Sequence, residues 1–226
     1  MLSSRQDILL KLASDIHAYS PIIIQGEAGV GKSFFLHALC EQLIKNQAIE
    51  NYKVLYAWEI QNDIIDALSN SSINTWRQRF QTSDVIAIDE FQYTKDKLVM
   101  SELLYQELRS TNKPIILTTT VPIISNIFEN QDLVSLCREG IPIILETPTQ
   151  EELIWILKKK LQVCSICMTV EALEWLKTQN IAALGSVNGM VKILNCHCEE
   201  GTTMDLDLCQ KLLQPILAYH TGKALS

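Results

Sequence analysis

Gly26-Glu27-Ala28-Gly29-Val30-Gly31-Lys32-Ser33 stands between an apolar run, Pro21-Ile22-Ile23-Ile24, and a helical pattern, Phe34-Phe35-Leu36-His37-Ala38-Leu39. Strand, glycine loop and helix at this spacing form a phosphate-binding loop. Glycine permits backbone angles that a Cβ forbids, so successive N–H groups can turn inward around an anion. The start of the following helix adds the positive end of its dipole. Lys32 then reaches the terminal phosphates as a point charge, and the Ser33 hydroxyl binds Mg²⁺. The expected cofactor is ATP or ADP with Mg²⁺.

Downstream, Asp84-Val85-Ile86-Ala87-Ile88-Asp89-Glu90 reads as a buried strand running into two carboxylates. Ligands of parallel sheets bind at the carboxyl ends of strands. Asp89 is expected to hold Mg²⁺, and Glu90 to orient and polarise an attacking water. Ile115-Ile116-Leu117-Thr118-Thr119-Thr120 is another strand, whose polar end would face a γ-phosphate or that water.

Strands at 22–24, 53–57, 84–88, 115–120 and 141–145 alternate with helices at 5–18, 34–46, 63–68, 75–80, 98–109 and 122–129. Ser3 or Ser4 would cap the first helix. Such alternation predicts an α/β fold, a parallel sheet with helices on both faces. After Pro148 only helices are expected, at 150–161, 170–178, 186–196 and 205–219, with Thr149 opening a capping box and Thr169 capping the next helix. The expected division is a nucleotide-binding core over 1–147 and a helical lid over 148–226.

The composition is that of an ordinary globular chain, 47% hydrophobic and 20% charged. The net charge of -7 opposes a protein that neutralises many phosphates along a duplex. No apolar run is long enough to span a bilayer and no secretory pattern opens the chain, so a cytoplasmic location is expected. The seven cysteines are read as reduced thiols. Cys164, Cys167, Cys196 and Cys198 offer four zinc ligands, but neighbouring ligands on a helix point apart. Filling of a helical interface is the preferred reading of these thiols.

The order of these features resembles the AAA+ ATPases, and within them the DnaA/Hda branch. Phe34-Phe35-Leu36-His37-Ala38-Leu39 looks like that branch's helix after the phosphate loop, and Val54-Leu55-Tyr56 like its second strand. Trp76-Arg77-Gln78-Arg79-Phe80 and Asp84 through Tyr93 are similar to its Walker B strand and approach. Leu117-Thr118-Thr119-Thr120-Val121-Pro122 sits where the branch has sensor 1, whose acid falls on Thr120. The arginine finger would fall on Leu136, with Arg138 two residues late, and the lid arginine on Asn188, with Lys192 one turn further. Glu90, Thr120 and Arg138 are therefore the expected catalytic groups. Loss of both arginines implies that binding persists while hydrolysis is slow or absent.

The resemblance implies a nucleotide-binding regulator or helper of chromosomal replication initiation, acting through protein contacts. Its expected partners are replication proteins: the initiator DnaA, and a sliding clamp or replicative helicase. Gln6-Asp7-Ile8-Leu9-Leu10 is similar to the branch's clamp-binding peptide, though the leucines equally fit the first core helix. No DNA-reading domain is expected after the lid, hence no sequence-specific DNA binding. The alternative is a helicase-loader or transposition-helper ATPase acting with DNA.

Overall fold

The computed structural model describes residues 2–70, 72–94, 97–124, 127–199 and 201–221. The chain divides into two compact units, Met1–Glu146 and Thr147–Ser226. The first opens with α1 (Leu2–Ser14), α2 (Ile16–Tyr19), β1 (Ile22–Gln25), α3 (Lys32–Lys45) and β2 (Lys53–Tyr56). It continues through α4 (Ala57–Ser69), α5 (Ile73–Gln81), β3 (Ile86–Asp89), a 3₁₀ turn (Phe91–Thr94) and α6 (Leu98–Ser110). β4 (Ile115–Thr119), α7 (Gln131–Arg138) and β5 (Ile141–Ile144) complete it.

The five strands form one parallel sheet in the order β2-β3-β4-β1-β5. Their side chains alternate between two apolar layers, as a sheet covered on both faces requires. Ile23, Leu55, Ile86, Ile88 and Leu117 face α4 to α7, while Ile22, Ile24, Ala87, Ile116 and Ile143 face α1 to α3. This is an α/β fold with a parallel sheet covered by helices on both faces, as the alternation predicts.

Three local expectations are corrected. The first helix is broken at Asp15, whose carboxylate accepts the Ala18 N–H and caps a separate turn. Ser3 and Ser4 lie within α1 rather than at its cap. The helix after β2 starts at Ala57, because Ala57, Ile60, Ile64 and Ala67 form one buried stripe. Among the described residues of 122–129 there is only a turn, with the Ile127 and Phe128 N–H groups on the Ile124 carbonyl. A helix falls instead on Gln131–Arg138, where the Asn130 side chain accepts the Leu133 N–H.

The second unit holds α8 (Gln150–Val163), β6 (Cys167–Met168), α9 (Val170–Thr178), α10 (Leu184–His197), β7 (Thr203–Met204) and α11 (Leu206–Thr221). Its core gathers Leu157, Leu161, Leu176, Val187, Met190, Leu194 and Leu213. Both expected caps are present, Thr149 with Glu152 as a capping box and Thr169 on the Ala172 N–H. The all-helical expectation is corrected by the short parallel pair β6–β7. It forms because backbone leaving α8 and α10 needs partners: Cys167 N–H donates to Thr202 O (3.0 Å) and Thr169 N–H to Met204 O (2.9 Å).

Candidate nucleotide-binding site

β1 lies between β4 and β5 and delivers the glycine loop at the carboxyl edge of the sheet. The Gly26 N–H donates to Thr119 O at the end of β4 (3.2 Å). A Cβ at Gly26 would stand 2.6 Å from the Leu145 carbonyl oxygen, so a side chain cannot enter there. Gly29 (φ 79°) and Gly31 (φ 98°) occupy the left-handed region that glycine alone adopts cheaply. Val30 between them is buried and anchors the loop, while Glu27 and Ala28 are exposed.

Lys32 opens α3 and is only 7% exposed. Its Nζ donates to Gly26 O (2.9 Å) and Glu27 O (2.8 Å), closing the loop's entry onto its exit. Burial pushes this ammonium below its ordinary pKa, and the Asp89 and Glu90 carboxylates pull it back up. The loop cation and both strand-end acids therefore share one electrostatic neighbourhood. Ser33 follows on the same turn with its side chain exposed.

Asp89 is 2% exposed at the end of β3. The Thr118 hydroxyl on β4 donates to its Oδ1. The Glu90 N–H donates to the same Oδ1 (3.1 Å) and to Thr118 Oγ1 (3.0 Å). Those bonds hold Glu90 at φ 57°, a left-handed conformation that is costly for a glutamate. Thr120 is half-buried, and its N–H donates to Gln92 Oε1 (3.2 Å). Sequence reading did not single out Thr118 or Gln92. The available signal for Thr118 was a hydroxyl within an apolar buried strand, which needs a partner.

Arg138 is not brought to the loop of its own chain. It ends α7 three residues before β5, whose first N–H, from Ile141, donates to Pro21 O at the amino edge of the sheet (2.8 Å). The loop lies at the other end of strands four residues long, each residue rising about 3.3 Å. Leu136, the position at which the sequence resemblance places the expected finger, is buried in the apolar layer. Asn188 and Lys192 are exposed on α10 of the second unit. Among the described residues no three His, Cys, Asp or Glu side chains converge as metal ligands, so Cys164, Cys167, Cys196 and Cys198 do not gather.

A family model described as the bacterial DnaA ATPase domain matches residues 7–135. The chromosomal replication initiator protein DnaA of Chlorobaculum tepidum is 23% identical over 209 residues, covering 91% of this chain and 42% of that protein. The chain thus spans less than half the length of that relative. Domain III of the Thermotoga maritima initiation protein DnaA superposes with a TM-score of 0.80 at 23% identity, covering 95% of this chain and 92% of that one. AMPPCP-bound DnaA from Aquifex aeolicus gives 0.69 at 21% identity, covering 83% and 59%. Loop, strand-end acids and strand order coincide with a family match over more than half of the residues, and the chain belongs to the bacterial DnaA ATPase domain family.

Proposed function

We propose that this chain binds ADP or ATP with Mg²⁺ and serves chromosomal replication initiation as a regulator or helper acting through protein contacts. The observation that carries the reading is Lys32, buried between the Gly26 and Glu27 carbonyls and within the field of Asp89 and Glu90. Main-chain N–H groups of residues 27–31 receive the phosphates, and the Lys32 ammonium offsets their charge. The Ser33 hydroxyl and the Asp89 carboxylate are the oxygen donors that a hard cation takes. Bound Mg²⁺ would neutralise charge on the phosphates. Asp89 presents a fixed carboxylate, because Thr118 and the Glu90 N–H hold its Oδ1.

Glu90 is the base that orients water, and Thr120, one residue past β4, is the hydroxyl offered from that strand's end. Turnover is slow or absent, because Leu136 and Asn188 stand where the resemblance places the two arginines that would meet γ-phosphate charge. The nucleotide then acts as a conformational ligand. The initiator DnaA, a sliding clamp or a replicative helicase would receive the output, in the cytoplasm. Among the described residues no helix is long and apolar enough to cross a membrane. The net charge of -7 disfavours sequence-specific duplex binding.

Calorimetry with Mg·ADP and Mg·ATP tests the reading. Wild-type chain should bind and Lys32→Ala should not; equal affinity in the two would overturn it. A pull-down from the native cell, probed for initiator, clamp and helicase, tests the partner class.

A further inference from the structure

Arg5, on α1, reaches two carbonyls that lie far apart in the chain. Its Nη1 donates to Val30 O at 3.4 Å, and its Nη2 donates to Glu146 O. Val30 belongs to the glycine loop, and Glu146 is the last residue of the first unit. The same two stretches meet elsewhere. The Leu145 N–H donates to Gln25 O (2.7 Å), and the Leu145 carbonyl leaves no room for a Cβ on Gly26. Backbone leaving the first unit therefore runs directly against the loop, and the guanidinium ties the two together.

We propose that Arg5 is a positioning residue for polyphosphate in that loop, an inference that rests on the nucleotide reading above. A trans peptide unit is planar, with its C=O and N–H pointing opposite ways. A donor on the Val30 carbonyl therefore fixes the direction of the Gly31 N–H. Gly31 sits at φ 98°, a backbone with several accessible states, so such a restraint has an effect there. Only a planar guanidinium presents two donors in a rigid fork; a lysine keeps the charge and loses the fork. The second tine, on Glu146, holds the fork against a carbonyl that β5 has already placed.

The experiment compares wild type, Arg5→Ala and Arg5→Lys by calorimetry with Mg·ADP and with Mg·pyrophosphate. It also follows the Gly31 amide resonance in the nucleotide-free proteins. Arg5→Ala should weaken both ligands roughly tenfold, and Arg5→Lys nearly as much, because charge alone does not orient the peptide. Millimolar guanidinium should restore affinity to Arg5→Ala and return the Gly31 resonance toward its wild-type position, whereas KCl at equal ionic strength should not. If Arg5→Ala fails to fold, Arg5→Lys alone carries the comparison. Wild-type affinity in Arg5→Lys overturns the inference, as does a loss in Arg5→Ala that guanidinium cannot reverse. If wild type and both variants bind alike, the inference falls and the nucleotide reading stands. If wild type does not bind, both fall.

Discussion

The Thr118 hydroxyl on β4 donates to Oδ1 of Asp89 on β3, and both side chains are sealed from solvent. The register explains the meeting: Ile88 pairs with Leu117, so the next residue of each strand lies side by side at the sheet's carboxyl edge. A buried carboxylate without donors would be costly, and here the hydroxyl and the Glu90 N–H both serve it. Asp89 is thereby aimed before any ligand arrives, and Glu90 is fixed through its own backbone.

Thr118→Val keeps the shape of the side chain and removes the donor. We expect a loss of about 1.5–3 kcal/mol in unfolding free energy, the usual value of a hydrogen bond to a charged group. Urea denaturation measures it. Mg·ADP affinity should fall as well, because Asp89 loses its orientation.

Glu90→Gln leaves the backbone N–H bonds to Asp89 and Thr118 in place. Nucleotide affinity should therefore remain close to wild type. Any turnover that the wild type shows should fall by about 100-fold or more, the scale of a lost general base. Single-turnover phosphate release and calorimetry on the same preparations separate the two effects.

Arg138→Ala should leave the Mg·ADP affinity of the dilute chain unchanged, because Arg138 stands at the amino edge of the sheet. A tenfold or greater weakening would place this residue at its own loop, against the geometry. Titration calorimetry at low protein concentration reads the outcome.

Acid should reach the molecule partly through Asp84. Its Oδ2 accepts the N–H groups of Glu50 (2.9 Å) and Asn51 (3.0 Å). Those bonds, helped by Lys113, hold the carboxyl below its ordinary 3.8. A depressed folded pKa contributes stability that is present above the unfolded value and lost as pH falls through the folded one. The stability gap between wild type and Asp84→Asn should stay constant from about pH 7 to about pH 5, then shrink below about pH 4. Denaturant midpoints across that range check the sign.

The loop was legible because everything that defines it is consecutive. Gly29 and Gly31 meet a conformational demand at their own positions, and Lys32 caps the loop from within it. The parallel sheet was legible too, since buried strands are uniformly apolar and short helical stripes separate them. Less legible were places where local pattern competes with packing. Residues 57–62 read as the end of a strand and a loop until Ile60 and Ile64 are seen in one apolar layer. Residues 122–129 carry helix-like apolar positions, yet the helix forms later, where Asn130 supplies a cap.

Sequence alone pointed to a glycine loop on a parallel sheet, with an acid pair after a further strand, and to a change to mainly helical pattern after about residue 147. Tertiary structure alone decided that Thr118 steadies Asp89 across 29 residues of chain, and that Arg5 bridges separations of 25 and 141 residues. It also decided that Arg138 stands at the edge away from the loop and that β6 pairs with β7. The physical reason is the range of the forces involved. Backbone preference and burial periodicity act on neighbours in the chain, whereas strand register and polar pairing join residues that only the folded packing brings together.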